Sequence, residues 1–260
     1  MKILMVGDIV GSPGRRTFKA CVEKLKAEHD VDFVIANAEN SAGGRGLTAD
    51  LAEELLAAGA DVLTMGDHVW DQREFRAYLD NAEKVIRPLN MQPGSHGKGY
   101  VSVETGFGKV TVINLIGRVF MREYDCPFRA VDKLLEEIDP GNIVVVDIHA
   151  EATSEKIMMG RYLDGRASLV AGTHTHVQTS DETVLPGGTA YITDLGMTGP
   201  KDGSLGRDLE QVKNIFLTGL PSMFKVAKGD TVLEGVVADI DRETGRSNSI
   251  TRVREVMKAD

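Results

Sequence analysis

The feature that most constrains the fold is a repeated pattern in which a short apolar run ends close to a charged, amide or imidazole side chain. Such runs cover residues 3–6, 31–36, 61–65 and 143–148. Continuous apolar runs of this length are typical of strands that are buried on both faces of a sheet. The pattern therefore predicts several buried strands, each of which carries a polar group at its carboxyl end.

The stretches between these runs carry helix signals. Ser12 and Pro13 predict an N-cap and a first helical residue for a helix that ends near residue 28. Thr48 predicts the cap of a helix that ends at residue 58, and Thr153 or Ser154 the cap of one that ends near residue 163. Other helices are predicted over residues 71–79, 128–138 and 209–217, and β-rich segments over residues 100–104, 109–115, 169–171, 189–193, 231–240 and 249–256.

Strands that alternate with helices, together with a β-rich tail, predict an α/β or mixed α+β sandwich. No linker rich in Pro, Gly or Ser divides the chain, so we expect one domain over residues 1–260. No signal peptide is indicated, and no apolar run approaches the roughly 20 residues of a membrane span. We therefore expect no membrane partner.

Charge and cysteine content narrow the function further. The formal net charge of −9 disfavours strong binding to nucleic acid. A small anionic substrate is still compatible with this charge if metal ions supply local positive charge. Cys21 and Cys126 are far apart in the sequence and indicate reduced thiols in a cytoplasmic protein.

The polar residues at the predicted strand ends are of the types that bind metals. Two histidines follow the run over residues 167–170, and because they are two positions apart they point to the same side of an extended segment. Ligands gather at the carboxyl ends of strands in such sheets. Capping of helices is the alternative role for the Asp and Asn residues taken one at a time. The candidate ligands are Asp8, Glu39, Asn40, Asp67, His149, His174 and His176.

This set has too many members for one tetrahedral ion and suits two ions that share a ligand. A pair of ions about 3.5–4 Å apart can clamp both oxygens of a phosphoryl displacement. Nitrogen and oxygen donors without thiolate favour Fe, Mn, Co or Zn. The sequence therefore predicts a dinuclear centre for phosphoryl chemistry.

Four stretches resemble, in order, the motifs of calcineurin-like metallophosphoesterases, and in detail those of the YmdB-type branch. They are Gly7-Asp8-Ile9, Asn37-Ala38-Glu39-Asn40, Gly66-Asp67-His68 and Gly172-Thr173-His174-Thr175-His176. The superfamily has a histidine where Val10 stands, and the branch replaces that ligand with the Asn of its Glu-Asn pair, here Asn40. Further stretches that match the branch begin at Asp147, Gly117 and Thr193.

The resemblance implies two β-sheets flanked by helices, two ions that are often iron or manganese, and phosphodiesterase activity on small nucleotides, notably 2′,3′-cyclic ones. One ion would take Asp8, Glu39, Asn40 and His176. The other would take Glu39, Asp67, His149 and His174, so that Glu39 bridges. The expected nucleophile is a hydroxide shared by the ions, and the expected general acid is His68, which would lie beside the ions without binding them.

One position departs from the family, which usually has Asn where this chain has Asp67. With this added carboxylate, the total negative charge of the ligands and a shared hydroxide equals the total positive charge of two divalent ions. We hypothesise that Asp67 favours a trivalent ion at one site or raises the pKa of the shared water.

Other roles are less determined by the sequence. Asp147, Glu151 and Asp194 are candidates to accept a hydrogen bond from a ligating histidine. Arg45 lies in a glycine-rich stretch that is either a phosphate-binding loop or a plain connection. A phosphomonoesterase, a nuclease and a metal-binding regulatory protein are the alternatives to a phosphodiesterase. The family also makes a homo-oligomer plausible.

Overall fold

Two β-sheets pack face to face between layers of helices in a computed structural model that describes residues 1–223 and 225–259. The strands are β1 (Lys2–Val6), β2 (Asp8–Ile9), β3 (Phe33–Asn37), β4 (Val62–Thr64), β5 (Val85–Ile86), β6 (Tyr100–Thr105), β7 (Gly108–Ile116), β8 (Ile143–His149), β9 (Leu169–Thr173), β10 (Thr183–Val184), β11 (Ala190–Ile192), β12 (Met197–Pro200), β13 (Thr231–Ile240) and β14 (Ser247–Met257). The helices are α1 (Gly11–His29), α2 (Ala49–Ala57), α3 (Phe75–Leu79), α4 (Pro127–Glu137), α5 (Thr153–Tyr162) and α6 (Leu209–Thr218).

Each sheet contains a run of four neighbouring parallel strands. The first has the order β2-β12-β13-β1-β3-β4-β5, with β14 paired to β13, and its strands β1, β3, β4 and β5 are parallel. The second has the order β10-β11-β9-β8-β7-β6, and its strands β7, β8, β9 and β11 are parallel. The sequence predicted the buried central strands. It missed the short strands β2, β5, β10 and β12.

Three apolar clusters fill the spaces between the layers. Alternate residues of β1, such as Ile3 and Met5, meet Val145 of β8 between the two sheets. The other face of the first sheet packs on α1, and the other face of the second sheet packs on α4 and α5. The predicted class, two sheets flanked by helices, is therefore confirmed. No helix of the described residues is long and apolar enough to cross a membrane.

The helix starts only partly follow the predicted caps. The Thr48 side chain accepts a hydrogen bond from the amide of Leu51 at 3.4 Å, so this cap is confirmed. Ser12 is not an N-cap, because the chain turns directly from β2 into α1, which begins at Gly11 without a side-chain cap. Thr153 and Ser154 are not caps either, because α5 begins at Thr153 and the backbone carbonyl of Ala152 accepts the first bonds.

Helix α3 is shorter than the predicted helix over residues 71–79. It begins only at Phe75, and the residues before it form turns. The side chain of Asp71 is engaged by Arg45 and His68 in this segment, so the chain follows the edge of the candidate site before the helix begins.

Candidate metal centre

The predicted ligands lie together at one edge of the sandwich, where parallel strands of both sheets end. The acidic and amide residues belong to the first sheet, since Asp8 lies in β2 and the others follow β3 and β4. The histidines belong to the second sheet, since His149 ends β8 and the other two follow β9. Oxygen ligands from one sheet thus face nitrogen ligands from the other.

One group consists of Glu39, Asp67, His149 and His174, whose ligand atoms all lie within 4.8 Å of one another. The Nε2 atom of His149 is 3.1 Å from Oδ1 of Asp67 and 3.2 Å from Oε1 of Glu39. The Nδ1 atom of His174 is 3.5 Å from the same Asp67 oxygen. These atoms surround a single point.

A second group consists of Asp8, Asn40 and His176. The Asn40 amide nitrogen is 3.3 Å from Oε1 of Glu39, 3.5 Å from Oδ1 of Asp8 and 3.2 Å from Nε2 of His176. Rotation of the amide by 180° would present its oxygen to the same point, since the two amide atoms are nearly isosteric. Glu39 therefore adjoins both groups.

The orientation of His149 is set by a buried chain of hydrogen bonds. Asp147 is fully buried and accepts a bond from the Thr173 hydroxyl at 2.7 Å, besides bonds from Asn37 and Thr64. The hydroxyl has one proton and donates it to Asp147, so its oxygen accepts from Nδ1–H of His149 at 2.9 Å. Nε2 of His149 is thereby left to face the carboxylates.

The other histidines lie in a constrained turn. His174 has φ of 102° and His176 has φ of 62°, values that non-glycine residues seldom adopt. The amide of His174 donates to Asp8 at 3.2 Å, and the amide of Thr175 donates to Asp194 at 3.1 Å. Asp194, which is buried, also accepts from Nζ of Lys156 at 2.6 Å.

Glu151, Asp147 and Asp194, the three residues expected to accept a hydrogen bond from a ligating histidine, therefore differ in role. Oε2 of Glu151 lies 3.1 Å from Nε2 of His174, and so contacts the ring nitrogen that faces away from the first group. Asp147 acts on His149 through Thr173. Asp194 contacts no ligand imidazole and holds the backbone of the turn instead.

His68 lies beside the groups and is only 16% exposed. Its amide donates to Oε2 of Glu39 at 3.1 Å. Its Nδ1 atom is 3.1 Å from Oδ2 of Asp71, and Arg45 contacts the same oxygen at 3.0 Å. The second ring nitrogen of His68 is the one that can serve a bound molecule.

The electrostatics of the cluster correspond to a site that needs positive charge. Burial by itself disfavours the His149 imidazolium, but Glu39 and Asp67 outweigh burial and hold the pKa of His149 well above its usual range. Burial likewise acts to raise the pKa of Glu39, but the adjacent His149 outweighs it and the pKa is lowered. Burial raises the pKa of Asp8, and it raises the pKa of Asp147 to about 6.

These residues fit a metal pair. The buried carboxylate of Glu39 and the half-buried carboxylate of Asp67 both contact Nε2 of His149, so negative charge is concentrated at a point where a bound cation would compensate it. The ring nitrogens away from the cluster are engaged, because Nδ1 of His176 is 3.1 Å from the Leu205 carbonyl and Nε2 of His174 contacts Glu151. Such contacts are the usual means of aiming a ligating imidazole.

Gly66 is a residue whose role sequence reasoning did not assign. A Cβ atom there would lie 2.3 Å from Nε2 of His149 and 2.4 Å from Oε2 of Glu39. Any side chain would therefore occupy the centre itself. A glycine directly before a candidate ligand was the signal available in the sequence.

A cavity of about 360 Å³ opens from both groups to the surface. Glu39, Asn40, His68 and the turn over residues 174–176 line its inner end. Its outer end is lined by Arg207 and by apolar side chains of α6, which sequence reasoning did not connect with the site. This volume is within the range of small-molecule pockets.

The YmdB-like protein family model matches residues 4–253. The chain belongs to the YmdB-like family. Over 254 residues it is 49% identical to a 2′,3′-cyclic-nucleotide 2′-phosphodiesterase of Bacillus subtilis (strain 168), a match that covers 97% of this chain and 96% of that protein. The predicted branch is thus confirmed.

Two solved structures are similar to this YmdB-like chain in fold. The crystal structure of a novel phosphatase from Mycoplasma pneumoniae is 34% identical with a TM-score of 0.94, and the match covers 99% of this chain and 94% of that one. That of the calcineurin-like phosphoesterase YfkN from Bacillus subtilis is 10% identical with a TM-score of 0.53, covering 99% and 90%. The second likeness concerns the fold alone.

Proposed function

We propose that this protein is a metal-dependent phosphodiesterase that hydrolyses small nucleotide diesters, above all 2′,3′-cyclic nucleotides. The observation that carries the proposal is one cavity that is lined by His68 together with the candidate ligands Glu39, Asn40, His174 and His176. The Bacillus subtilis relative, which is named a 2′,3′-cyclic-nucleotide 2′-phosphodiesterase, supports the choice of substrate.

In this proposal Asp8, Glu39, Asn40 and His176 would hold one ion. Glu39, Asp67, His149 and His174 would hold the other, and iron or manganese suits this mixture of nitrogen and oxygen donors. The chemistry that such a pair supplies when bound is stabilisation of charge on the phosphate oxygens and activation of water.

The residues of the chain itself orient the substrate and move a proton. To act as the general acid, His68 must carry a proton on both ring nitrogens, because Nδ1–H faces the carboxylate of Asp71. The proton on the other nitrogen passes to the departing ribose oxygen as the phosphorus–oxygen bond breaks, which leaves His68 neutral. Arg207 on the cavity wall adds a permanent positive charge that attracts a phosphodiester. The small cavity and the acidic net charge both disfavour a long polynucleotide.

A substrate panel on the metal-loaded protein tests this function. The panel contains 2′,3′-cyclic AMP, bis-p-nitrophenyl phosphate, 5′-AMP and an RNA oligonucleotide. We expect turnover of the diesters and little turnover of 5′-AMP or RNA. Preference for 5′-AMP would indicate a phosphomonoesterase, and preference for RNA a nuclease. No turnover at all, in a protein with full metal content, would indicate a binding or regulatory role.

His68→Ala examines the proton transfer. We expect it to retain both ions and to lose roughly 100- to 10,000-fold in kcat, the usual contribution of a general acid. The matched control is His96→Ala, because His96 is another histidine whose Nδ1 contacts an aspartate, Asp80, at 2.7 Å, but which does not line the cavity. If His68→Ala retains its turnover, the acid is another group.

Two further properties are proposals that rest on the sequence. We expect a cytoplasmic protein, and we expect self-association in solution, which sedimentation analysis measures.

A further inference from the structure

One wall of the outer end of the cavity is apolar and is formed by Leu205, Val212, Ile215 and Phe216. It continues directly from the candidate ligands, because all these side chains line the same space as Glu39 and His176. Phe216 is 83% exposed, although a large aromatic side chain gains from burial. An exposed apolar patch next to a polar site is a common mark of ligand binding.

The wall is built by a helix that has defined ends but contributes nothing to the core. Asp208 caps α6 by accepting a hydrogen bond from the amide of Gln211 at 3.1 Å, and Gly219 ends it with φ of 70°. No residue of α6 is buried. Val212, Ile215 and Phe216 are spaced three and four positions apart, so they lie on one side of the helix. That side is the one that faces the cavity.

The wall is fixed relative to the candidate ligands. The carbonyl of Leu205 lies 3.1 Å from Nδ1 of His176, so the segment that starts the wall is joined to a candidate ligand. The amide of Asp208 donates to the carbonyl of Lys225, and the amide of Ala227 to that of Gly206. The helix is therefore held at a set distance from the centre.

We propose that this apolar wall is the binding site for the nucleobase of the substrate, with Phe216 stacking on the base. The inference rests on the proposed phosphodiesterase function, which puts the phosphate at the candidate ligands. A 2′,3′-cyclic nucleotide carries its phosphate on one side of the ribose and its base on the other, so the base extends along the cavity towards α6. The wall covers part of the base, and the base covers the exposed ring of Phe216.

The side chains of the apolar wall also determine how strongly the site discriminates between different nucleobases. Leu205, Val212, Ile215 and Phe216 have no side-chain group that can hydrogen-bond to the edge of a base. Every base has a π-face, so recognition by stacking tolerates all of them and discriminates only by the strength of stacking. We expect kcat/KM for purine and pyrimidine 2′,3′-cyclic nucleotides to differ by about tenfold or less.

The test compares substrates with and without a base. Wild-type and Phe216→Ala proteins, both metal-loaded, are assayed with 2′,3′-cyclic AMP and with methyl riboside 2′,3′-cyclic phosphate, which has the same cyclic diester but no base. Loss of base–aromatic stacking corresponds to roughly 5- to 150-fold. We expect KM for 2′,3′-cyclic AMP to rise about tenfold, near the lower end because Phe216 is largely exposed. Kinetics with the base-free diester should stay unchanged.

Leu217→Ala is the matched control, since Leu217 is an exposed apolar neighbour on the same helix, 77% accessible, and does not line the cavity. It should leave both substrates unchanged. Equal losses on both substrates, or no loss on either, would overturn the base site. So would a change in sedimentation of Phe216→Ala without a change in KM, because that result would assign the wall to contacts between copies.

Failure of the proposed function is distinguishable from failure of the base site. If the wild-type protein hydrolyses neither diester, the phosphodiesterase function fails. If it hydrolyses both equally well and Phe216→Ala matches it, the function stands and the base site fails. Calorimetric binding of 3′-AMP, the nucleotide left when the 2′ ester bond is opened, gives a readout that does not depend on turnover, and we expect weaker binding to Phe216→Ala than to Leu217→Ala.

Discussion

Replacement of Lys156 by methionine removes one half of a buried ion pair beneath the histidine turn. Lys156 is 0% exposed and Asp194 is 1% exposed, and Nζ of the lysine donates to the carboxylate at 2.6 Å. The same carboxylate accepts from the amides of Thr175 and Gly196. Methionine keeps most of the apolar stem but leaves Asp194 buried without its counter-charge.

The magnitude follows from the burial of both partners. Removal of one member of a buried pair costs about 3–5 kcal/mol, because the remaining charge is left buried without its partner. In a chain of this length that loss corresponds to a fall of roughly 6–20 °C in Tm. Because Asp194 accepts a hydrogen bond from the turn that carries two candidate ligands, we expect the proposed metal binding to weaken as well.

The assay is urea unfolding of the chelator-treated protein, so that bound metal does not add to the stability. Lys24→Met is the matched control, because Lys24 also pairs with a carboxylate, that of Glu255 at 2.8 Å, but its side chain is 59% exposed. It should hardly move the midpoint. Lys156→Met combined with Asp194→Asn should cost less than the sum of the single variants, because the double variant leaves no buried charge.

Two results would refute this reasoning. The first is a loss below about 1 kcal/mol for Lys156→Met, the value typical of an exposed pair. The second is strict additivity in the double variant, which would show that the two groups do not interact.

Two further substitutions test the centre itself. Gly66→Ala should abolish metal binding, because the added Cβ atom would collide with His149 and Glu39. Gly106→Ala is the control and should bind metal normally, because its Cβ atom would lie in open space. Metal analysis of both proteins tests this, and full metal content in Gly66→Ala would contradict the geometry. Asp67→Asn removes one negative charge 3.1 Å from Nε2 of His149 and should shift the bound metal towards divalent ions. Unchanged metal content together with an unchanged acidic limb of the pH–rate profile would disprove the hypothesis that Asp67 favours a trivalent ion or raises the pKa of the shared water.

The candidate ligands could be predicted because their signal is local. An apolar run shows where a strand ends, and the residue type at that end shows what it can bind. Convergence at one edge then follows from the parallel arrangement of strands. The prediction of helix caps was less successful at Ser12 and Thr153, because α1 and α5 begin a few residues after strand ends and the backbone carbonyls of Val10 and Ala152 accept the first bonds.

The contacts that orient the centre could not be predicted in the same way. Asp8 and His174 are 166 positions apart, and Lys156 and Asp194 are 38 apart, so neither pairing leaves a periodic trace in the sequence. From the sequence alone, a lysine in a helix is also expected to be exposed to solvent. Only the packing of α5 beneath the turn makes it a buried partner.

The sequence by itself therefore determined the class of fold, the types of candidate ligand and the strands that carry them, because strand periodicity and residue chemistry are properties of short segments. The tertiary structure alone decided that carboxylates from one sheet face imidazoles from the other, and that a buried ion pair supports the turn between the histidines. It also decided that α6, an exposed helix, places its apolar side along the outer end of the cavity. These arrangements depend on the packing of two sheets against each other, which brings together segments that no local pattern connects.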